Sequence, residues 1–267
     1  MTNLKSVLIT GASSGIGKAI ALSLARPNIR LYLCGRNSGA LTRVATQCIS
    51  RGASVQTKLL DVRDQEAMEQ WIQSVGQLDL VLACAGVSAS TVNKSCPQQL
   101  PESSVVTRQL MKTNIDGVLN TVLPAIEVMK RQEKKADGSR GRIAAIASIA
   151  GFVNSVWAPS YCASKAAVDR FMVSGGGAWQ SHGIYLTSVC CGFVRTPLTD
   201  LNDFSMPGIM DPDIAAKKII KGIMSNKRRI IFPLWMAWIA RITDLLPIYL
   251  LEKFYLRYSK EKDHKRF

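Results

Sequence analysis

Apolar positions along this chain follow two alternating rhythms. Short, β-rich, mostly apolar runs at 4–10, 29–34, 55–60, 78–83, 142–147, 185–191 and 229–232 read as strands. Between them, 15–25, 102–131 and 160–181 carry helical spacing. That alternation predicts repeated βαβ units around a parallel sheet. Every position of 78–83 except Asp79 is apolar, as expected of a strand covered on both faces. Asp211-Pro212-Asp213 predicts a helix start, with Asp211 as N-cap and Pro212 as the first helical residue, and Lys227-Arg228-Arg229 follows the far end. One segment conflicts with its own pattern. Gly175-Gly176-Gly177 lies inside the helix at 160–181, where each glycine costs about 1 kcal/mol relative to alanine. Either the helix kinks there, or another backbone, that of a second subunit included, approaches too closely for side chains.

Beyond residue 232 the pattern changes. Trp235, Trp238, Ile239, Ile242, Leu245 and Leu246 fall at helical spacing, a second helix is expected after Pro247, and a basic tail spans 257–266. Arg241, Asp244 and Pro247 interrupt the apolar run, so a clean transmembrane helix is not expected. Tryptophan and tyrosine flanked by lysine and arginine is the composition of an interfacial membrane anchor. Packing of both helices on the protein's own core or on a partner subunit is the competing reading.

Composition narrows the class. At 267 residues, 47% hydrophobic and 20% charged, the chain suits one α/β unit with a large core, and no linker or internal repeat divides it. Net charge is +15, and residues 217–267 carry 13 Lys/Arg against 4 Asp/Glu, or +9 of it. No nucleic-acid motif accompanies this basic end, which leaves an anionic membrane surface, phosphorylated ligands or a solvated basic face. The seven cysteines form no C-x-x-C, and adjacent Cys190 and Cys191 fall in a strand. That suits reduced, buried thiols in a cytoplasmic protein. Two histidines, His182 and His264, exclude a histidine-rich metal site, and no metal is expected. The run 6–10 is too short for a signal-peptide core and leads directly into a glycine turn.

That turn is Thr10-Gly11-Ala12-Ser13-Ser14-Gly15-Ile16-Gly17. Between a strand and a helix, such a turn lets backbone N–H groups approach a dinucleotide's pyrophosphate, aided by the field of the helix N-terminus. At the tip of the second strand an acid would bind the ribose hydroxyls of NAD, whereas an arginine would accept a 2′-phosphate. The chain has Cys34-Gly35-Arg36-Asn37 there, so NADP(H) is expected in preference to NAD(H), with Arg36 as the phosphate ligand. Asp61-Val62, just past the third strand, is placed to border the adenine.

Carbonyl–alcohol interconversion needs a group that gives or takes a proton at the substrate oxygen. Lys165 follows Tyr161 by four residues on one helix face, where its charge would favour phenolate and lower the tyrosine pKa. Ser148, at the end of the fifth strand, is placed to hydrogen-bond the carbonyl oxygen.

These residues resemble those of the short-chain dehydrogenase/reductase family, in its main single-domain branch. The resemblance covers about residues 4–232 and rests on Thr10–Gly17, Asp61-Val62, Ala85-Gly86, Asn114, Ser148-Ile-Ala-Gly151, Tyr161–Lys165 and Gly192-Phe-Val-Arg-Thr-Pro197. It implies a doubly wound seven-stranded parallel sheet, a nicotinamide cofactor held by Gly11, Ser13, Ser14, Gly15, Ile16, Gly17, Ala85 and Gly86 among others, and dimers or tetramers. It further implies that Asn114 bends its helix and holds a water linked to Lys165, that Lys165 binds the nicotinamide ribose, and that Val194 and Thr196 hold the carboxamide. Two departures stand out: Ala83-Cys84-Ala85-Gly86 replaces the usual Asn-Asn-Ala-Gly, and Cys191-Gly192 replaces the usual Pro-Gly. The expected organisation is a dinucleotide-binding and catalytic Rossmann-like unit at 1–232 and a helical extension at 233–267. The substrate loop, about 196–210, contains Leu198, Leu201, Phe204, Met206, Ile209 and Met210, which suggests a small hydrophobic carbonyl or alcohol as substrate. A non-catalytic NADP-binding sensor of the same fold is the alternative function, and a sugar-nucleotide epimerase fits the glycine spacing poorly.

Overall fold

The computed structural model describes residues 4–93, 101–202, 204–251 and 253. Seven strands form one sheet: β1 (Ser6–Thr10), β2 (Arg30–Gly35), β3 (Ser54–Leu59), β4 (Leu80–Ala83), β5 (Gly141–Ile146), β6 (Ile184–Cys191) and β7 (Arg229–Phe232). Their order across the sheet is β3-β2-β1-β4-β5-β6-β7, and every neighbouring pair is parallel. Strand order therefore reverses direction at β1, which pairs Val7 with Leu31 of β2 on one side and with Leu80 of β4 on the other. In such doubly wound sheets ligands bind at this switch point, beyond the carboxyl ends of the strands.

Alternation along each strand feeds two cores. Leu8 of β1, Val81 of β4 and Ile143 of β5 face one side, while Val7, Ile9, Leu80, Leu82 and Ala144 face the other. The first side is covered by α3 (Gln65–Ser74) through Met68 and Ile72, by α6 (Gly117–Lys130) through Val122 and Ile126, and by α7 (Pro159–Trp179) through Val168 and Met172. The second is covered by α1 (Gly15–Leu24) through Ile20, α2 (Ser38–Ile49) through Val44, and α8 (Pro212–Met224) through Ile219 and Ile223.

Several boundaries differ from the sequence reading. The helix expected over 102–131 divides into α5 (Ser104–Met111), a π turn at Lys112–Asp116 and α6, and a short helix α4 (Ala89–Val92) precedes it. Asp211 holds the N-cap position of α8 but makes no capping hydrogen bond among the described residues; its carboxylate lies 3.4 Å from Arg195. The glycine triplet does not interrupt α7. A Cβ on Gly176 would lie 3.2 Å from the Leu186 carbonyl oxygen of β6, so a close backbone is that of this chain's own sheet.

After β7 the chain forms α9 (Leu234–Asp244), held to the body by the buried Ala237 and Ala240. Arg241 covers the Phe152 ring at 4.4 Å, and Asn154 Nδ2 donates to Asp244 Oδ1 at 2.9 Å. The stripe expected to be apolar is apolar, yet it faces outward: Trp238 is 66% and Leu245 84% exposed. Helix resumes after Pro247 at 248–251, and the basic tail at 257–266 lies outside the described residues. Among the described residues, no helix is long and apolar enough to cross a membrane.

Candidate active site

The sequence-predicted site residues collect along the carboxyl edge of the sheet, because each follows the end of a strand or sits on the helix packed there. The glycine turn joins β1 to α1. Gly11 and Gly15 have φ of +64° and +54°, a left-handed backbone that side chains disfavour. A Cβ on Gly11 would lie 2.7 Å from the Ala85 amide, and one on Gly17 would overlap the Gly11 carbonyl oxygen. Ser13 Oγ occupies the space beneath Gly35, where a Cβ would lie 3.2 Å from it. Ser14 is the N-cap of α1, but its side chain caps nothing among the described residues, and the first ladder bond runs from Lys18 N to Ser14 O. The amides of Gly15, Ile16 and Gly17 thus have no carbonyl within the helix. A narrow cradle lined by N–H groups that meet no acceptor among the described residues fits a pyrophosphate, and only glycine leaves room for it.

Neighbouring strand ends complete the cleft. Gly15 lies against Thr196, whose Cγ2 would be 3.1 Å from an added Cβ. Thr196 N donates to Thr199 Oγ1 at 2.9 Å, and Thr199 Oγ1 donates to the carbonyl of the buried Val194 at 2.8 Å. This knot fixes the start of the 196–210 segment. Beyond β4, Thr10 Oγ1 accepts from Cys84 N at 3.2 Å, tying β1 to β4 where the usual asparagine is replaced.

Arg36 lies one residue past β2 with its side chain 58% exposed, and its guanidinium is 3.8 Å from Asp61. Asp61 is engaged more tightly by Arg63, whose Nη2 donates to Oδ2 at 2.7 Å. The Arg63 hydrogen bonds hold the Asp61 carboxyl below its usual pKa range against the opposing effect of partial burial. Sequence reasoning missed Arg63, since pairing of Asp61 with a residue two positions on depends on the turn after β3. Val62 packs on Gly117, and its carbonyl accepts from Asn120 Nδ2 at 2.9 Å.

Ser148 begins the 3-10 turn Ile149–Phe152 directly after β5, with its Oγ accepting from Ala150 N at 3.1 Å and donating to Cys191 O at 3.3 Å. Tyr161 and Lys165 sit on the first turns of α7. The buried Lys165 Nζ donates to Ile146 O at 2.8 Å and lies 5.6 Å from the Tyr161 ring centroid. Burial pushes the Tyr161 phenol well above its usual pKa, the Cys191 thiol adds to the rise, and Ser148 pulls it down. Burial also lowers the Lys165 pKa. Here the net direction for the phenol is upward and burial is its largest cause, whereas the sequence reading expected Lys165 to lower it. Both departures from the family pattern place thiols beside that ammonium, Cys84 and Cys191, each pushed up by burial.

Asn114 is fully buried in the π turn. Its Oδ1 accepts from Val87 N at 2.9 Å, and its Nδ2 donates to Val87 O at 3.0 Å and to Ser164 Oγ at 3.1 Å. A Cβ on Gly86 would lie 3.3 Å from Asn114 Oδ1 and 3.4 Å from Lys165 Nζ, so these three residues meet at one point.

A model of short chain dehydrogenases matches residues 5–204, from β1 through the glycine turn and Tyr161–Lys165 into the loop after β6. The chain belongs to the short-chain dehydrogenase family. It is an oxidoreductase of that family, dependent on a nicotinamide cofactor. An uncharacterized oxidoreductase from Myxococcus xanthus is 32% identical over 247 residues, covering 91% of this chain and 93% of the relative. Among solved structures, a short-chain dehydrogenase from Sphingobium yanoikuyae in complex with NADPH superposes with a TM-score of 0.72 at 22% identity, covering 86% of this chain and 89% of that one. Another from Mycobacterium paratuberculosis, bound to NAD, gives 0.69 at 22% identity, covering 85% and 95%. At such identities the likeness is one of fold. Among the described residues, no group of three His, Cys, Asp or Glu side chains is placed to hold a metal.

Proposed function

We propose that this short-chain dehydrogenase interconverts a carbonyl and an alcohol on a small apolar substrate, preferring NADP(H), with Tyr161 as the general acid/base. The observation that carries this reading is the meeting of Ser148, Tyr161 and Lys165 at the end of β5, on the same sheet edge as the glycine cradle. When bound, the nicotinamide supplies or accepts the hydride at the substrate carbon. Burial keeps the Tyr161 phenol protonated at neutral pH, so in reduction it is ready to donate its proton to the carbonyl oxygen. Ser148 Oγ, held by Ala150 N, orients that oxygen. Lys165 binds the nicotinamide ribose, with Ile146 O fixing its position. Asn114 acts as a positioning residue, because it clasps Val87 and Ser164 on either side of Gly86 and Lys165.

Gly11, Ser13, Ser14, Gly15, Ile16 and Gly17 would hold the pyrophosphate, Asp61 and Val62 the adenine, Ala85 and Gly86 the ribose side, and Val194 and Thr196 the carboxamide. Arg36 supports NADP(H): Asp61 is already held by Arg63, which leaves the exposed Arg36 guanidinium loosely engaged and suited to a 2′-phosphate. Exposed Val105 on α5 and Leu123 on α6, both within the long helical stretch at 102–131, support association of two or more copies. The free, mostly buried thiols suit a reducing, cytoplasmic setting.

A panel of apolar ketones and aldehydes, followed by NADPH absorbance with NADH in parallel, tests the reading. NADPH oxidation by at least one apolar ketone is expected, and Tyr161→Phe should abolish it. If calorimetry finds the cofactor bound while no carbonyl is turned over, a non-catalytic sensor becomes the better description.

A further inference from the structure

Helix α9 reverses the usual arrangement of an amphipathic helix on a globular protein. Its small residues, Ala237 and Ala240, point inward, and its large apolar ones point outward. Trp238, Ile239, Ile242 and Leu245 are each more than half exposed, and Ile248 and Tyr249 extend the surface past Pro247. A patch of this kind on a soluble protein marks a place that something covers.

Three observations favour a lipid surface. The patch is led by tryptophans, with a tyrosine beyond them, and these side chains settle at the boundary between acyl chains and headgroups. The chain around it is cationic: residues 217–267 contribute +9 of the +15 net charge, and the six Lys/Arg after Leu251 directly follow the apolar stretch. Anionic headgroups complement that charge. The patch is also continuous with the proposed active site. Trp235 lies against Gly208 of the substrate loop, Met236 against Gly192, and Arg241 over Phe152 of the turn that Ser148 begins. On that loop, Leu201 and Phe204 are exposed too.

We infer that α9 and the helix after Pro247 seat the protein on an anionic membrane surface, and that this seat turns the mouth of the active site toward the bilayer, so that the substrate is an apolar ketone or alcohol dissolved in lipid. This substrate class rests on the carbonyl–alcohol reading above.

The test uses the full chain with vesicles of phosphatidylglycerol or of phosphatidylcholine, at low and high salt. Sedimentation with phosphatidylglycerol is expected to exceed that with phosphatidylcholine at least tenfold and to weaken with salt, and brominated phosphatidylglycerol should quench tryptophan emission. A long-chain ketone carried in the vesicles and a small water-soluble ketone are then compared. The double variant Trp238→Glu/Ile242→Glu, changed only at exposed positions, should lose vesicle binding and at least tenfold of its rate on the vesicle-borne ketone, while its rate on the soluble ketone stays within twofold. Protein that remains in the supernatant with both lipids overturns the proposal. So does a wild-type dimer that the double variant turns into monomer, which assigns the face to a second copy. An undiminished variant rate on the vesicle-borne ketone removes the lipid-delivery half. Vesicle binding with no turnover of either ketone supports the membrane seat and instead overturns the carbonyl–alcohol reading.

Discussion

Lys165 is buried and Tyr161 is half-buried, and desolvation disfavours the charged form of each. For the phenol this has a definite sign. Reduction uses the protonated hydroxyl, so its rate should stay level from neutral pH up to about 10, the ordinary tyrosine value. Alcohol oxidation uses the ionised form, whose population grows with pH, so that rate should still be climbing at about pH 10. Steady-state rates in both directions across this range test the assignment, and an oxidation rate already level at neutral pH contradicts it. Tyr161→Phe should cut turnover by at least a hundredfold, about 2.7 kcal/mol of barrier, while calorimetric NADPH affinity holds. Lys165→Met should weaken both. At the tip of β2, Arg36→Asp should exchange a preference for NADPH for one for NADH; equal affinities in the unaltered protein would remove Arg36 from the phosphate site.

Strands were the most legible elements, because alternation along β1 and β4 sorts residues onto two covered faces and leaves uninterrupted apolar runs. The glycine turn and the Tyr161–Lys165 spacing were legible for a similar reason, since each is local geometry written in a few consecutive residues. What periodicity could not show depends on distant partners. The π turn around Asn114 is stabilised by Val87 and Ser164, residues far away in the chain, and nothing in 102–131 alone announces the break. Arg63 escaped because its pairing with Asp61 depends on the turn after β3, and for α9 helical spacing showed which residues share a face but left open which way that face points.

The glycine triplet of α7 makes the dependence on surroundings measurable. At Gly176 an added methyl would press on the Leu186 carbonyl of β6, a strand paired on both sides with β5 and β7. At Gly177 the nearest atom is the Arg228 guanidinium at 3.8 Å, an ordinary contact with a flexible side chain. Gly177→Ala should therefore stabilise the protein by about 0.5–1 kcal/mol through helix propensity, whereas Gly176→Ala should destabilise it by about 1–3 kcal/mol through overpacking. Urea unfolding of the two variants should move the midpoint in opposite directions, and a common direction would show that α7 does not lie this close to β6.

At the scale of the whole molecule, internal ion pairs tie the layers together and set the response to acid. Asp169 on α7 accepts from Arg229 of β7 at 2.7 and 2.8 Å and from Ser188 of β6 at 2.7 Å. Burial pushes its carboxyl up, but the Arg229 and Ser188 hydrogen bonds prevail and the pKa is lowered. Asp61 and Asp79 are lowered too. Around the ordinary carboxylate value, about pH 4, the unfolded chain therefore binds more protons than the folded one. The stabilisation is complete above that pH and is lost as pH falls through the lowered native values. The urea midpoint should stay level from pH 7 to about 5 and drop below about 4. Asp169→Asn should flatten part of that drop and destabilise by about 3 kcal/mol at neutral pH, because Arg229 loses its partner.

Asp79 does something further for the molecule. One carboxylate receives the amides of Lys5 and Ser6 at 2.6 and 2.9 Å together with the ammonium of Lys135, at the amino edge of the sheet. The start of β1, the lead into β4 and the approach to β5 are thus riveted at a single oxygen pair. At the opposite edge the charged ties are spread over separate groups, Arg63 on Asp61 beyond β3, Lys165 on the Ile146 carbonyl and Arg195 near Asp211, and none of them gathers three segments at one carboxylate. Thermal motion should accordingly be graded along the strands. In native-state hydrogen exchange the Ser6 amide should open only with global unfolding, whereas amides in the 196–210 loop should exchange through small local excursions.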